Sequence, residues 1–155
     1  MLLGDDSAPS MLITSDDVRL LAAIGFLSAK SGCVAPAIRI FESLIKLRPG
    51  AVFPFIGLSI AYMAVGMSPE SLYVLTERAT TTRTEDDTLY LWRSLAFHQS
   101  GNRTQAATAL QKYLSGPLVD DHHALVEKLT KELGLRPVVP DWPLPAVVSD
   151  QETAF

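Results

Sequence analysis

The sequence predicts an all-α chain wound as a right-handed superhelical solenoid, and three observations carry the expectation. Glycines recur at Gly32, Gly66 and Gly101, spaced 34 and 35 residues apart. Small and large apolar residues return at the same offsets behind them, Ala37 and Phe41 after Gly32, then Ala106 and Leu110 after Gly101. A last amphipathic stretch places Leu125, Val126, Leu129 and Leu133 on one side and stops at Gly134. A period of this length marks antiparallel helix pairs, each burying its apolar face only by stacking on a neighbour. The expected architecture is three helix pairs followed by a capping helix.

The chain divides accordingly into a flexible N-terminal segment (1–14), a repeat domain (15–134) and a Pro-rich extended tail (135–155). Ser15, followed by Asp16 and Asp17, is the expected N-cap of the first helix, where a hydroxyl and carboxylates satisfy free N–H groups. The first repeat runs from about Val18 to Pro49, with Gly25 at the small helix-contact position, Ala37 and Phe41 packed behind it, and Gly32 in the turn. These positions match a tetratricopeptide repeat in one register. The second repeat keeps Phe55, Leu58 and Tyr62, then departs from the pattern with Ser71 and Leu75. Its second helix is expected to start at Ser68-Pro69-Glu70, a hydroxyl cap, a proline at the first turn and an acid near the positive end of the dipole. The third repeat offers Tyr90, Phe97, Gly101, Ala106 and Leu110 and ends at Ser115-Gly116-Pro117; its one extra residue is expected in the polar link from Thr80 to Asp87. Asp120-Asp121 opens the capping helix, and Gly134 is its expected left-handed stop. Four prolines after Arg136, around Trp142, exclude regular helix there.

Composition excludes several functions. A net charge of −4 with scattered Lys and Arg argues against a nucleic-acid partner, since phosphate binding needs clustered cations. Cys33 is the single cysteine, so no internal disulfide or multi-thiolate zinc site can form, and a reducing, cytoplasmic setting is expected. No secretory leader is expected, because Asp5-Asp6 follows Met1-Leu2-Leu3-Gly4 at once. The uncharged stretch from Pro49 to Pro69 invites comparison with a membrane span, but Pro54, Gly57, Ser59 and Gly66 interrupt it and the repeat register accounts for it.

Catalytic and metal chemistry find little support. His122 and His123 are adjacent, about 100° apart on a helix, and His98 is remote in sequence; the pair reads as solvated helix surface. Cys33 has no histidine near it in sequence to activate it. Of the acidic pairs Asp5-Asp6, Asp16-Asp17, Asp86-Asp87 and Asp120-Asp121, three stand at expected helix starts, and no Gly-rich phosphate loop occurs. Neither a cofactor nor an enzymatic activity is expected.

The informative surface is the inner one. In such repeats the first helix of each pair lines a concave groove through its second, fifth, ninth and twelfth positions. Here those are Arg19, Ala22, Phe26 and Ala29; Phe53, Ile56, Ile60 and Met63; and Thr88, Leu91, Leu95 and His98. Phe26, Phe53, Ile56, Ile60, Met63, Leu91, Leu95 and His98 are thus the candidate partner-binding residues. An apolar groove suits an apolar segment or an amphipathic helix, with desolvation supplying the affinity. The same residues could instead bury against the capping helix, the Trp142 tail or a second copy of the chain. Phe41, Phe55, Tyr62 and Phe97 read as core.

In this register the chain resembles the small tetratricopeptide chaperones of bacterial type III secretion, above all the YscY type. The residues that carry the likeness are Met11-Leu12-Ile13-Thr14, Leu20-Leu21, Gly25, Gly32, Ala37, Leu44, Leu47 and Pro49, then Trp92, Gly101, Ala106 and Tyr113-Leu114. The class II translocator chaperones of the LcrH/SycD type share the architecture; they usually carry an additional N-terminal helix, for which the stretch before Ser15 is short. The YscY resemblance implies a cytosolic chaperone that holds a small secreted export component of the YscX type in its groove. It also implies a pair that engages the cytosolic domain of the export gate, with no membrane insertion. The competing readings are a class II chaperone and a generic repeat scaffold that self-associates, including a homodimer of the free chain. The tail after Gly134 has no counterpart in the YscY family.

Overall fold

The computed structural model describes residues 12–81 and 86–135. Among the described residues seven α-helices follow one another: α1 (Ser15–Lys30), α2 (Val34–Leu47), α3 (Phe53–Ala64), α4 (Ser68–Tyr73), α5 (Thr88–Gln99), α6 (Arg103–Leu114) and α7 (His123–Leu133). Each packs on its neighbour in sequence, and α1, α3 and α5 also stack directly, as a solenoid of helix pairs requires. The N-terminal segment before Leu12 and the tail after Leu135, with Trp142, lie outside the described residues.

The turn glycines act through backbone conformation. Gly32, Gly66 and Gly101 have φ of 80°, 74° and 81°, and a Cβ on any of them would meet no neighbouring atom within 4 Å. Behind each glycine the chain closes the same way. Cys33, Met67 and Asn102 donate their N–H groups to the carbonyls of Ser28, Tyr62 and Phe97, and Leu135 after Gly134 does so to Thr130. These are the six-to-one bonds of a left-handed helix stop, available to glycine at no steric cost.

Gly25 and Gly57 are needed for space. A Cβ on Gly25 would sit 2.8 Å from Cζ of Phe41, and one on Gly57 would overlap the same ring. Phe41, itself fully buried, thus inserts from α2 between the backbones of α1 and α3. Around it lie Ala37, Leu44, Phe55, Leu58 and Ala61, all at most 3% exposed. Burying such side chains stabilises the fold by about 1.5–3 kcal/mol each. A second cluster joins Leu91, Ala106, Leu110 and Tyr113 to Val126, Leu129 and Leu133, so α7 caps the last pair as expected.

Several local expectations need correction. Thr14, not Ser15, caps α1. Its hydroxyl accepts the Asp17 N–H at 3.2 Å, while the Asp17 carboxylate accepts the Thr14 N–H at 2.8 Å, a reciprocal capping box. The Thr14 hydroxyl, donating to the same carboxylate at 2.7 Å, and then the Thr14 N–H hold the Asp17 pKa below the ordinary carboxylate value. Met67 occupies the cap position of α4, and Ser68 is already helical and buried. Asp120 to His122 form a single 3₁₀ turn, so α7 begins at His123 rather than at the acidic pair.

The departure at Ser71 and Leu75 has a structural counterpart. After α4 the backbone widens into a π-turn over Val74–Arg78 and then tightens into a 3₁₀ turn over Ala79–Thr81. In the first and third pairs the positions of the second helix with no exposed surface fall 5, 9 and 12 residues after the turn glycine: Ala37, Phe41, Leu44 and Ala106, Leu110, Tyr113. In the second they fall at 5, 9 and 13, namely Ser71, Leu75 and Ala79. The extra residue of the 35-residue spacing therefore enters at the π-turn, because a wider turn advances the inward face by one position. The shift turns Arg78 partly outward, where its guanidinium pairs with both oxygens of Glu42 at 2.6 and 2.8 Å. From α5, Arg93 donates two hydrogen bonds to the Leu75 carbonyl, at 2.9 and 2.6 Å. That pairing answers a carbonyl in the part of the helix where the regular ladder is disturbed.

Candidate functional site

The inner face changes character along the solenoid. At its N-terminal end a cleft of about 610 Å³ opens between α1 and α3. Val18, Ala22, Phe26 and Phe53 give it an apolar lining, and Arg19 and Arg48 are the cations beside it. Three of the inward positions of α1 and the first of α3 thus meet in one depression. Phe26 is 37% exposed, and its ring stands on Phe41 with centroids 4.9 Å apart and planes at 63°. That edge-on contact fixes Phe26 from beneath while its outer surface stays in the cleft.

Midway along, Ile56 and Ile60 are half-buried and packed against the core. Met63 is only 7% exposed and belongs to that core. The expected groove register places it inward, but the close stacking of α3 leaves it little open surface.

At the C-terminal end the inner face is occupied. Leu91 has no exposed surface and sits in the cluster with Val126, Leu129 and Leu133, so it is a core residue rather than open groove. Leu95 is half-buried between the two clusters. His98 Nε2 lies 2.8 Å from a carboxylate oxygen of Glu132, and Arg103 donates to the Glu132 carbonyl at 3.0 Å. His122, expected on the solvated surface, is half-buried. Its Nδ1 is 3.1 Å from the Tyr113 hydroxyl, and its ring meets Trp92 edge-on at 6.1 Å. Burial raises the Tyr113 pKa above the ordinary phenol value. The cap is thus fastened at both ends by polar contacts.

Of the candidate binding residues, Phe26 and Phe53 share the open cleft, Ile56, Ile60 and Leu95 continue it as a half-buried strip, and Met63, Leu91 and His98 are committed to packing or pairing. Helical positions alone do not point to Arg48 and Ala51, which reach the cleft from the α2–α3 connection. A loop has no period from which to read its direction. Among the described residues there is no group of three or more metal-ligating side chains, and no helix is long and apolar enough to cross a membrane. Nothing in the cleft joins a nucleophile to a base. Its lining is apolar, with two arginines beside it.

No family model and no curated protein matches the chain. Solved structures do. The type III secretion translocator chaperone SycD of Yersinia enterocolitica superposes with a TM-score of 0.67 at 18% identity, covering 79% of this chain and 91% of SycD. PcrH from Pseudomonas aeruginosa gives 0.64 at 20% identity, covering 81% and 96%. TTC0263, a tetratricopeptide protein of Thermus thermophilus, gives 0.64 at 23%, covering 76% and 66%. SycD is also known in complex with a peptide of the translocator YopD, and PcrH with the chaperone-binding region of PopD. At this identity the likeness is one of fold: a tetratricopeptide-like helical solenoid, which this chain spans at nearly the full length of the secretion chaperones.

Proposed function

We propose that the chain is a cytosolic chaperone of a bacterial type III secretion system, holding an apolar segment of a secreted protein against its inner face. The observation that carries the reading is the open cleft at Phe26 and Phe53, an apolar depression on the surface where helical-repeat proteins receive peptides. A partner side chain entering it would leave water on contact with two aromatic rings, and each large apolar anchor contributes about 1.5–3 kcal/mol. Arg19 and Arg48 would favour an acidic residue beside that anchor. In the YscY reading, motivated by the sequence resemblance, the client is a small secreted export component of the YscX type, and the pair passes to the export gate. A translocator as client is the second reading; the fit of the fold to SycD and PcrH, both known with translocator segments, favours it.

Co-purification from a host strain, followed by mass spectrometry, tests the proposal. The wild-type chain should retain a secreted component of the export apparatus, and Phe26→Asp and Phe53→Asp should lose it while their helical circular dichroism persists. Ile60→Asp, further along the strip, should weaken retention as well. Undiminished capture by all three variants would remove the cleft from the binding site. Whether the retained protein is an export component or a translocator separates the two readings.

A further inference from the structure

The described residues leave the Phe26–Phe53 cleft open, and both charged residues that line it are arginines, Arg19 and Arg48. Arg19 pairs with Asp16 at 3.3 Å, with both side chains largely exposed, so water screens the pair and it costs little to give up. Such a site selects a large apolar side chain with a carboxylate beside it. The arginines attract the acid, and their guanidinium planes can lie against the face of an aromatic ring.

The chain itself carries a ligand of that description. Asp141-Trp142 stands between Pro140 and Pro143, in the stretch that follows Leu135. In residues 1–11 and 136–155 no other large apolar residue has an acid next to it. The prolines on either side restrict the backbone to extended conformations beforehand, so less entropy is lost when the segment is held. Its reach also fits. The bond from His98 to Glu132 sets the end of α7 beside the end of α5. Stacked helices lie about 8–10 Å apart, so the gap between α1 and α3 is about 15 Å from α5 across the stack. Phe53 begins α3 while His98 is one residue from the end of α5, which places the cleft about 15 Å back along the helix axes as well. The diagonal is about 21 Å, and the seven residues from Leu135 to Trp142 span about 22 Å at the polyproline rise. We propose that the Asp141-Trp142 segment occupies the Phe26–Phe53 cleft of its own chain, the indole against the two rings and the carboxylate toward Arg19 and Arg48, so that a partner must displace it.

Tethering makes a modest affinity sufficient. A short linker gives an effective concentration of about 1 mM, so an intrinsic Kd of about 0.1 mM keeps the cleft roughly nine-tenths filled. The inference rests on the geometry of the cleft and not on a secreted partner. Its test contains no partner, so its failure leaves the proposed function standing. In the full chain carrying Trp92→Phe, Trp142 is the remaining tryptophan. Its fluorescence should lie at shorter wavelength than that of a synthetic peptide of residues 136–148, and acrylamide should quench it at least about threefold less. Phe26→Asp should return both readings to the peptide values. Asp141→Lys should do the same, and adding Arg19→Glu and Arg48→Glu to it should shield the indole again. That rescue does not depend on how Phe26→Asp folds. An indole as quenchable in the full chain as in the peptide overturns the inference. So does shielding that survives both Phe26→Asp and Asp141→Lys, since the tail would then pack elsewhere. Shielding that grows with protein concentration overturns it too, because the tail would then enter the cleft of another copy.

Discussion

The two ends of the inner face are built from equivalent helices and have opposite fates. At the first pair, Phe26 and Phe53 look into an open cleft supported from below by Phe41. At the third, the equivalent face of α5 is filled by α7, with Leu91 fully buried and His98 bonded to Glu132. Position within the repeat therefore does not decide whether a residue stays open to solvent. What decides it is whether another element already occupies the space. A solenoid must cover its last apolar face, and here the cover closes over Leu91 of the final pair.

Substitution at the two ends should break this symmetry most sharply. Leu91→Asp places an unpaired carboxylate in a closed cluster and should cost more than about 4 kcal/mol, read as loss of cooperative unfolding in urea. Phe26→Asp, at a position already in contact with water, should cost less than about 1.5 kcal/mol and alter partner retention instead. Equal destabilisation by the two would show that the cleft is as closed as the cap.

Shortening the cap tests the same contrast more gently. Leu129→Ala, in the middle of the buried side of α7, should lower stability by about 2–5 kcal/mol. It should also raise the hydrogen-exchange rate of α7 amides above that of α2 amides, because the cap makes fewer buried contacts than the core around Phe41.

Gly57→Ala probes the support beneath the open cleft. The added methyl overlaps the Phe41 ring, and displacing that ring should cost about 1–3 kcal/mol and tilt Phe26, which rests on it. Thermal melts would report the cost. Gly32→Ala in the turn has free space, so its penalty would come from the left-handed backbone alone.

The smallest effect concerns Glu42 and Arg78 beside the π-turn. The Arg78 guanidinium, by hydrogen bonding, holds the Glu42 carboxyl below its ordinary value. A carboxyl with a lowered folded pKa adds stability above its unfolded pKa of about 4.3, and that stability disappears as pH falls through the folded value. Glu42→Gln should therefore be less stable than wild type near pH 7, with the difference vanishing at strongly acidic pH. A constant gap across that range would mean that packing, not charge, supplies the contribution of Glu42.

Much of the architecture is legible in one dimension. The spacing of Gly32, Gly66 and Gly101, the small residues at Gly25 and Ala37, and the amphipathic run ending at Gly134 specify helix pairs and a cap, because each reflects a local demand of backbone or period. Cap residues fall one position from their expected places at Thr14 and Met67, since neighbouring hydroxyls and prolines satisfy the same composition and only dihedral angles separate them. The π-turn is announced by Ser71 and Leu75 as a departure from pattern, but its form is not, because a one-residue shift can be absorbed at several points along a helix.

The sequence by itself determined an all-α repeat chain with a largely apolar inner face. Period and helix-stop chemistry act over a few residues and need no partner. Only the tertiary structure decided that Phe26 and Phe53 remain open while Leu91 closes, and that Leu20, Ile24 and Leu27 are left uncovered at the end of the stack. Exposure is a property of what lies opposite a residue, often many positions away in the chain, and a local pattern does not contain it.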